Sequence, residues 1–227
     1  MFLEYQYKTE LHAHTSPASG CSDITPEEMV KIYHELGYNT LVITNHFVFN
    51  DEEPTKKVEK FLKDYHLAKE LGKKVGLEVV LGAEIRFSQN INDYLLYGIC
   101  DDDLLKVNSM LDAGVDNFYK EFINEKNILL QAHPFRTNIT PVNPKSLDGI
   151  EVFNLHPGHN SRIGFAAKYA KENDFIITCG SDFHHYGHEG MCAILTKEPI
   201  LDSFDLVKVL KSRDYIIDIS GYKVLPR

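Results

Sequence analysis

Seven side chains able to bind a transition metal fall into five short stretches of this sequence. They are His12 and His14 in L-H-A-H-T, His46 in I-T-N-H, Glu84 in G-A-E-I, His133 in Q-A-H-P, and Asp182 and His184 in G-S-D-F-H. On an extended segment residues i and i+2 project to the same side, so His12 and His14 can reach one ion together. Asp182 and His184 repeat that spacing with a carboxylate in place of one imidazole. Mixed nitrogen and oxygen donors suit zinc, manganese or iron better than calcium. A single H-x-H says little. Combined with D-x-H and with isolated His and Glu residues in matching places, it points to a hydrolytic metal centre.

Such a centre needs a scaffold that gathers five distant stretches. Short apolar runs alternate with helical patterns, predicting strands at 8–12, 40–45, 79–85, 94–100, 128–132, 149–154, 175–179 and 214–219. The third, fifth and seventh are apolar on successive residues, as in parallel strands buried on both faces. Helices are expected near 55–72, 102–126, 161–173 and 202–212. The clearest helix opens at Thr25-Pro26-Glu27-Glu28, with a Thr N-cap, Pro in the first helical position and Glu closing a capping box. Gly37 stops it. His34 and His66 fall inside helices and are set aside. The ligand-type residues sit at the carboxyl ends of predicted strands, where β/α barrels build their active sites. The pattern predicts an α/β fold, a single domain over 1–227 with a TIM-like barrel. Periodicity alone leaves a doubly wound open sheet as the alternative.

The 227 residues carry 24 Lys and Arg against 33 Asp and Glu, a net charge of −9. That surface repels polyanions, so duplex nucleic acid fits poorly as a partner. A local cationic pocket still suits a small phosphorylated metabolite. The amino terminus shows no basic stretch ahead of a long apolar core, and no run of about 18 apolar residues occurs. Cys21, Cys100, Cys179 and Cys192 are scattered, without a C-x-x-C pair, and read as reduced thiols. A cytoplasmic protein that does not enter the membrane is expected; oligomeric state is left open.

In order along the chain, the motifs resemble those of the polymerase and histidinol phosphatase (PHP) family of metal-dependent phosphoesterases. The resemblance runs from L-H-A-H-T through I-T-N-H, G-A-E, A-H-P-F-R and E-V-F-N to G-S-D-F-H. It implies a distorted (β/α)7 barrel carrying two or three divalent ions, zinc, manganese or iron. His12, His14, Glu84 and Asp182 would hold one ion. Glu84 would bridge to a second, held also by His133. A third would be held by His46, His184 and Asp23 of C-S-D, with Cys21 a less favoured substitute. Where the family often places another histidine, at the start of the fourth strand, this chain has Asp93 and Tyr94. Water, His156 or His159 could complete the second site instead.

The implied activity is hydrolysis of a small phosphomonoester by a metal-activated hydroxide, the substrate being like histidinol phosphate, a nucleotide or a sugar phosphate. Asp182 or His184 would pass a proton to the leaving alkoxide. Arg136 of H-P-F-R can grip two phosphate oxygens at once. Arg162, at a helix start, and His159 are further candidate substrate contacts, the latter in a rim with His156, His185 and His188. Competing readings are a phosphodiesterase or exonuclease of the same fold, a C–N hydrolase of the amidohydrolase type, and a non-catalytic metal-binding regulatory protein.

Overall fold

The computed structural model describes residues 3–226. Its first half runs β1 (Tyr7–Ala13), α1 (Pro26–Glu35), β2 (Thr40–Ile43), β3 (His46–Val48), α2 (Pro54–Val75), β4 (Glu78–Leu81), β5 (Ala83–Arg86) and β6 (Tyr94–Tyr97). The second continues with α3 (Leu104–Met110), α4 (Val115–Phe122), β7 (Ile128–Gln131), β8 (Gly149–Asn154), α5 (Ile163–Glu172) and β9 (Ile176–Gly180). It closes with β10 (Cys192–Thr196), α6 (Ser203–Ser212), β11 (Ile216–Ile219) and β12 (Tyr222–Val224).

Local chemistry starts and stops these elements. The Thr25 hydroxyl accepts from Glu28 N while the Glu28 carboxylate accepts from Thr25 N, so two first-turn amides of α1 are satisfied reciprocally. The helix expected over 102–126 is divided. Gly114, at φ 82°, adopts a backbone that a helix cannot hold and separates α3 from α4.

The strands form two six-stranded sheets, ordered β12-β11-β10-β1-β2-β4 and β3-β5-β6-β7-β8-β9. The architecture is therefore mixed α/β with two sheets, and no closed sheet forms among the described residues. Alternation of strands and helices reports that strands exist, but not which edge pairs with which. Two predicted strands illustrate the difference. The chain crosses from the first sheet to the second between β2 and β3, and again at Gly82 between β4 and β5. A Cβ on Gly82 would lie 3.0 Å from side-chain carbons of Val42, Thr44 and Tyr97, so a larger residue would have to push these side chains aside. At the other margin the ends of β1 and β9 meet. His14 N donates to Phe183 O, and Phe183 N donates to His12 O.

β6 runs antiparallel to both β5 and β7. The reversal carries the start of β6, and with it Asp93, to the rim where β5 and β7 end. β10 and β12 fall outside the strands expected from sequence; with β11 they extend the first sheet as an antiparallel ribbon beside β1.

Leu11, Val80, Leu95, Leu130 and Ile194 fill one apolar cluster, and the helices pack Met29, Phe61, Phe118 and Ala166 into a second. Each large side chain so buried contributes about 1.5–3 kcal/mol. That gain offsets the cost of the polar groups buried at the strand ends. No described helix is long and apolar enough to cross a membrane.

Candidate metal centre

The five stretches converge. Glu84 lies at the centre: its Oε1 is 3.4 Å from His12 Nε2 and 3.2 Å from His133 Nε2, and its Oε2 is 3.4 Å from His14 Nε2 and 2.8 Å from His46 Nδ1. Asp182 Oδ1 stands 3.4 Å from His12 Nε2 and 3.5 Å from His14 Nε2. His12, His14, Glu84, His133, Asp182 and His184 are all buried, while His46 is partly exposed. Yet His12 Nε2, His14 Nε2, His46 Nδ1, His133 Nδ1 and Glu84 Oε2 make no hydrogen bond. Buried polar atoms normally find partners, and each left unmet costs about 1–3 kcal/mol. Three overlapping sets, His12/His14/Glu84, His14/His46/His184 and His46/Glu84/Asp93, each hold ligand atoms within 4.8 Å of one another. Lone pairs this close and this poorly satisfied suit divalent cations, so the residues present fit the implied metals.

The far edges of the rings explain their orientation. His12 Nδ1 donates to Glu151 Oε1 at 2.8 Å. Glu151 Oε2 accepts from His133 N and from Asn154 Nδ2, both at 3.0 Å, and Asn154 Nδ2 also donates to Asp182 Oδ2 at 3.0 Å. The Ser19 hydroxyl donates to Asn45 Oδ1 at 2.9 Å, so at 3.2 Å it accepts from His14 Nδ1. His184 Nδ1 donates to Asp182 O at 2.8 Å. In each case Nδ1 faces an acceptor, which leaves Nε2 as the nitrogen turned toward the cluster. Glu10 fastens the seam from behind, accepting from His12 N, Ser181 N, Ser181 Oγ and Tyr33 OH. Gly180 is required between these groups, because a Cβ there would overlap Glu151 Oε1 and His12 Cβ. His133 and Asp182 carry left-handed backbones, φ 30° and 50°, a strain sustained by the surrounding bonds.

Charges are strongly coupled here. Burial works to raise the Glu84 carboxyl, but the His12 and His46 charges outweigh it and hold the pKa well below the usual range. Asp182 is lowered in the same way, its burial outweighed by the charge on His12 and by the nearness of His14. Burial opposes protonation of His12, yet Glu151, Asp182 and Glu84 raise its pKa well above that of a free imidazole. His46 rises to about 10, against its burial, through Glu84 and Cys21. His14 is lowered well below the usual value by burial and by the charges of His46 and His184. Without ions, the carboxylates are thus balanced by imidazolium protons.

A profile of the PHP domain matches residues 10–219. The chain belongs to the PHP domain family. Among solved structures it is similar to a two-domain protein from Bacteroides vulgatus containing a predicted PHP-like metal-dependent phosphoesterase. The TM-score is 0.63 at 15% identity, covering 96% of this chain and 66% of that one, so this chain spans about two thirds of its length. PsfC from Pseudomonas syringae aligns with a TM-score of 0.62 at 15% identity, covering 88% and 87% of the two chains. An amidohydrolase from Chromobacterium violaceum with bound sulfate and no metal aligns with a TM-score of 0.51 at 13% identity, covering 80% and 89%. At such identities the likeness speaks for the fold alone. No match was found among the curated proteins.

Around the PHP cluster a cavity of about 300 Å³ opens, walled in part by Arg86, Asp93, Arg136, His156 and His159. Asp93 occupies the departure noted at the fourth strand. It receives two bonds from Arg86, at 2.7 and 2.9 Å, and stands 3.9 Å from His133 Nε2. Tyr94 is buried with its ring against Phe87, away from this cavity's walls. Arg136 lies 3.5 Å from His159 Nδ1 and 3.8 Å from Asp93 Oδ2. His156 and His159 stack at 4.1 Å, and His159 Nδ1 is 3.9 Å from Asp182 Oδ2.

Two expected site residues are not gathered in. The Asp23 carboxylate is 61% exposed and pairs with His185 at 3.2 Å, while its amide donates to His184 O. Cys21 instead lines the cavity together with His46 and His184. Arg162 is exposed at the start of α5 and is not among the cavity's walls. The supporting residues Glu151, Asn154, Ser19 and Glu10 were not singled out in sequence. The signal for the first two was present in E-V-F-N, where an acid interrupts an otherwise apolar strand. A second cleft of about 750 Å³ shares Cys21, His46 and Arg86 with the first and carries Lys60 and Lys63.

Proposed function

We propose that this chain is a metal-dependent phosphoesterase that hydrolyses a small phosphomonoester resembling histidinol phosphate, a nucleotide or a sugar phosphate. The observation that carries the reading is the set of buried imidazole and carboxylate atoms without partners, lying beneath a cavity with Arg136 in its wall. On this reading the two sheets are an opened form of the family's distorted barrel. His12, His14, Glu84 and Asp182 would hold one ion, Glu84, His133 and Asp93 a second, and His46 and His184 a third. Bound divalent ions supply Lewis-acid charge and lower the pKa of water toward neutrality.

The remaining work falls to the chain itself. Arg136 presents paired N–H groups to two phosphoryl oxygens. Asp182, held through Oδ2 by Asn154, keeps Oδ1 facing the cluster. With His184 or His159 it moves the proton that the leaving alkoxide takes up. The adjoining cleft has room for the rest of the substrate, and Lys60 and Lys63 favour an anionic one. Four free thiols support a reducing, cytoplasmic setting.

The test is to purify the protein without chelator, quantify bound metal, and assay p-nitrophenyl phosphate and a panel of metabolite monoesters. Activity lost on stripping and regained on adding metal is the expected result. Absence of both bound metal and metal-restored hydrolysis overturns the reading. Cleavage of diesters alone replaces the monoesterase with a phosphodiesterase.

A further inference from the structure

We infer that His156 is a hydrogen-bond donor to the bound phosphoryl group, its ring polarity being opposite to that of the imidazoles proposed to hold metal. The inference rests on the phosphoesterase reading above and gives that site a further substrate contact. A neutral imidazole accepts through one nitrogen and donates through the other, so the partner of one edge fixes what the other edge can do. His12 Nδ1 faces Glu151 Oε1 and His184 Nδ1 faces Asp182 O, both acceptors. His156 is the reverse. Gly158 N, a backbone amide that can only donate, stands 3.0 Å from His156 Nδ1. Nδ1 therefore offers its lone pair, and the ring proton lies on Nε2. His159 has the same polarity, with Arg136 Nη1, also a donor only, 3.5 Å from its Nδ1, and it stacks on His156 at 4.1 Å.

The loop holds this arrangement in place. Asn154 Oδ1 accepts from His156 N at 3.3 Å and from Ser161 Oγ at 3.2 Å, and His159 N donates to His156 O at 3.1 Å. Through Nδ2 the same Asn154 donates to Asp182 Oδ2, so the loop is tied to the cluster itself. His156 Nε2 has no partner among the described residues, and the ring lines the cavity of about 300 Å³ with Arg136, Asp182 and His184. Ligation through Nε2 would need the proton to move to Nδ1 and the Gly158 bond to break. None of the three clustered ligand sets contains His156. A fixed N–H in the wall that also carries Arg136 suits a charged phosphoryl oxygen, which accepts from it with no proton changing place.

Two measurements other than turnover test this. Long-range proton–nitrogen correlation NMR reads the tautomer of each histidine, the His156 signals being those lost in His156→Gln. We expect a proton on Nε2 and none on Nδ1, in the protein without and with zinc. Calorimetric titration of the zinc-loaded protein with inorganic phosphate then reads the contact. His156→Ala should weaken phosphate binding about 10–100-fold, the range for hydrogen bonds to charged groups, with zinc content unchanged. His156→Gln, whose amide N–H can stand in, should recover part of the loss. A proton on Nδ1, a zinc equivalent lost in His156→Ala, or a phosphate affinity equal to that of the wild type overturns the inference. Phosphate binding that depends on His156 in a protein that hydrolyses no phosphoester would sink the proposed function and leave the donor in place; hydrolysis with phosphate affinity indifferent to His156 would do the reverse.

Discussion

Replacing Glu151 with Gln isolates what a carboxylate does behind an imidazole proposed to bind metal. Both oxygens of Glu151 act only as acceptors, Oε1 for His12 Nδ1 and Oε2 for His133 N and Asn154 Nδ2. Gln has nearly the same volume but offers one oxygen and one NH2, so one edge must be mispaired. With the NH2 toward His12, the imidazole moves its proton to Nε2 and gives up the lone pair an ion needs. With the NH2 toward His133, two buried donors lose their acceptor. Loss of the negative charge acts in the same direction. At equal distance a dication feels Glu151 about twice as strongly as the single proton it displaces, so neutralising Glu151 favours the proton.

Changes behind metal-bound histidines typically cost about 10–100-fold in affinity, which is about 1.4–2.7 kcal/mol. We expect zinc affinity to fall by that amount in Glu151→Gln, measured by competition with a chromogenic chelator at fixed pH. Glu10→Gln is the comparison. Glu10 touches no imidazole ring, so its loss should lower the melting temperature while changing zinc affinity much less. A folded Glu151→Gln protein that binds zinc as tightly as the wild type would refute the argument that Glu151 sets the His12 tautomer.

Two further predictions follow from the cavity and the charges. Arg136→Ala should raise KM for a phosphomonoester about 10–100-fold, the equivalent of charged hydrogen bonds of about 1.5–3 kcal/mol, with metal content unchanged; an unaltered KM would remove Arg136 from the phosphate site. Zinc affinity should keep rising with pH up to about 10, because ions must displace protons from His12 and His46, whose pKa values are raised, that of His46 to about 10. The same raised values stabilise the metal-free protein below an unfolded histidine pKa of about 6.5. That contribution fades as pH climbs through the folded values. Depressed Glu84 and Asp182 add stability above their unfolded pKa values near 4, and it is lost as pH falls through the folded ones. Calorimetry of the metal-free protein should therefore show a melting temperature that declines on the alkaline side; a flat profile from about pH 7 to 10 would contradict this.

The clustering of these side chains was legible because each stands at the end of a predicted strand, where a polar side chain has no role in the core. The supporting shell was not. Glu151 and Glu10 look like ordinary strand residues until folding places them behind His12 and Ser181, contacts separated by 139 and 171 residues in sequence. Asp23 misled for a related reason. Position in the loop suggested a ligand, but whether Cys21 or Asp23 faces inward depends on which backbone groups His14 and His184 hold. The apolar run of β10, C-A-I-L-T, is short enough to pass as loop, and the antiparallel course of β6 leaves no mark in a sequence pattern.

That course of β6 decides how the proposed second ion position would be built. In a uniformly parallel arrangement the start of a strand lies at the opposite end from the site. Here β6 descends where its neighbours rise, so its first turn reaches the rim, and Asp93 enters beside Glu84 and His133. A carboxylate in that place adds negative charge to a cluster already holding Glu84, Asp182 and Glu151. Burial and the nearby Glu84 raise the Asp93 pKa, while the paired bonds from Arg86 pull it back. Arg86 thereby makes an acidic residue tolerable where an imidazole would need no counter-charge. Engaging Asp93 with an ion would ease Arg86, whose guanidinium already lies in the cavity wall, toward an incoming phosphate. On the proposed reading, the acidic residue at this strand shifts charge within the site rather than dismantling it, and it would tie metal occupancy of the second position to the cationic wall facing the substrate.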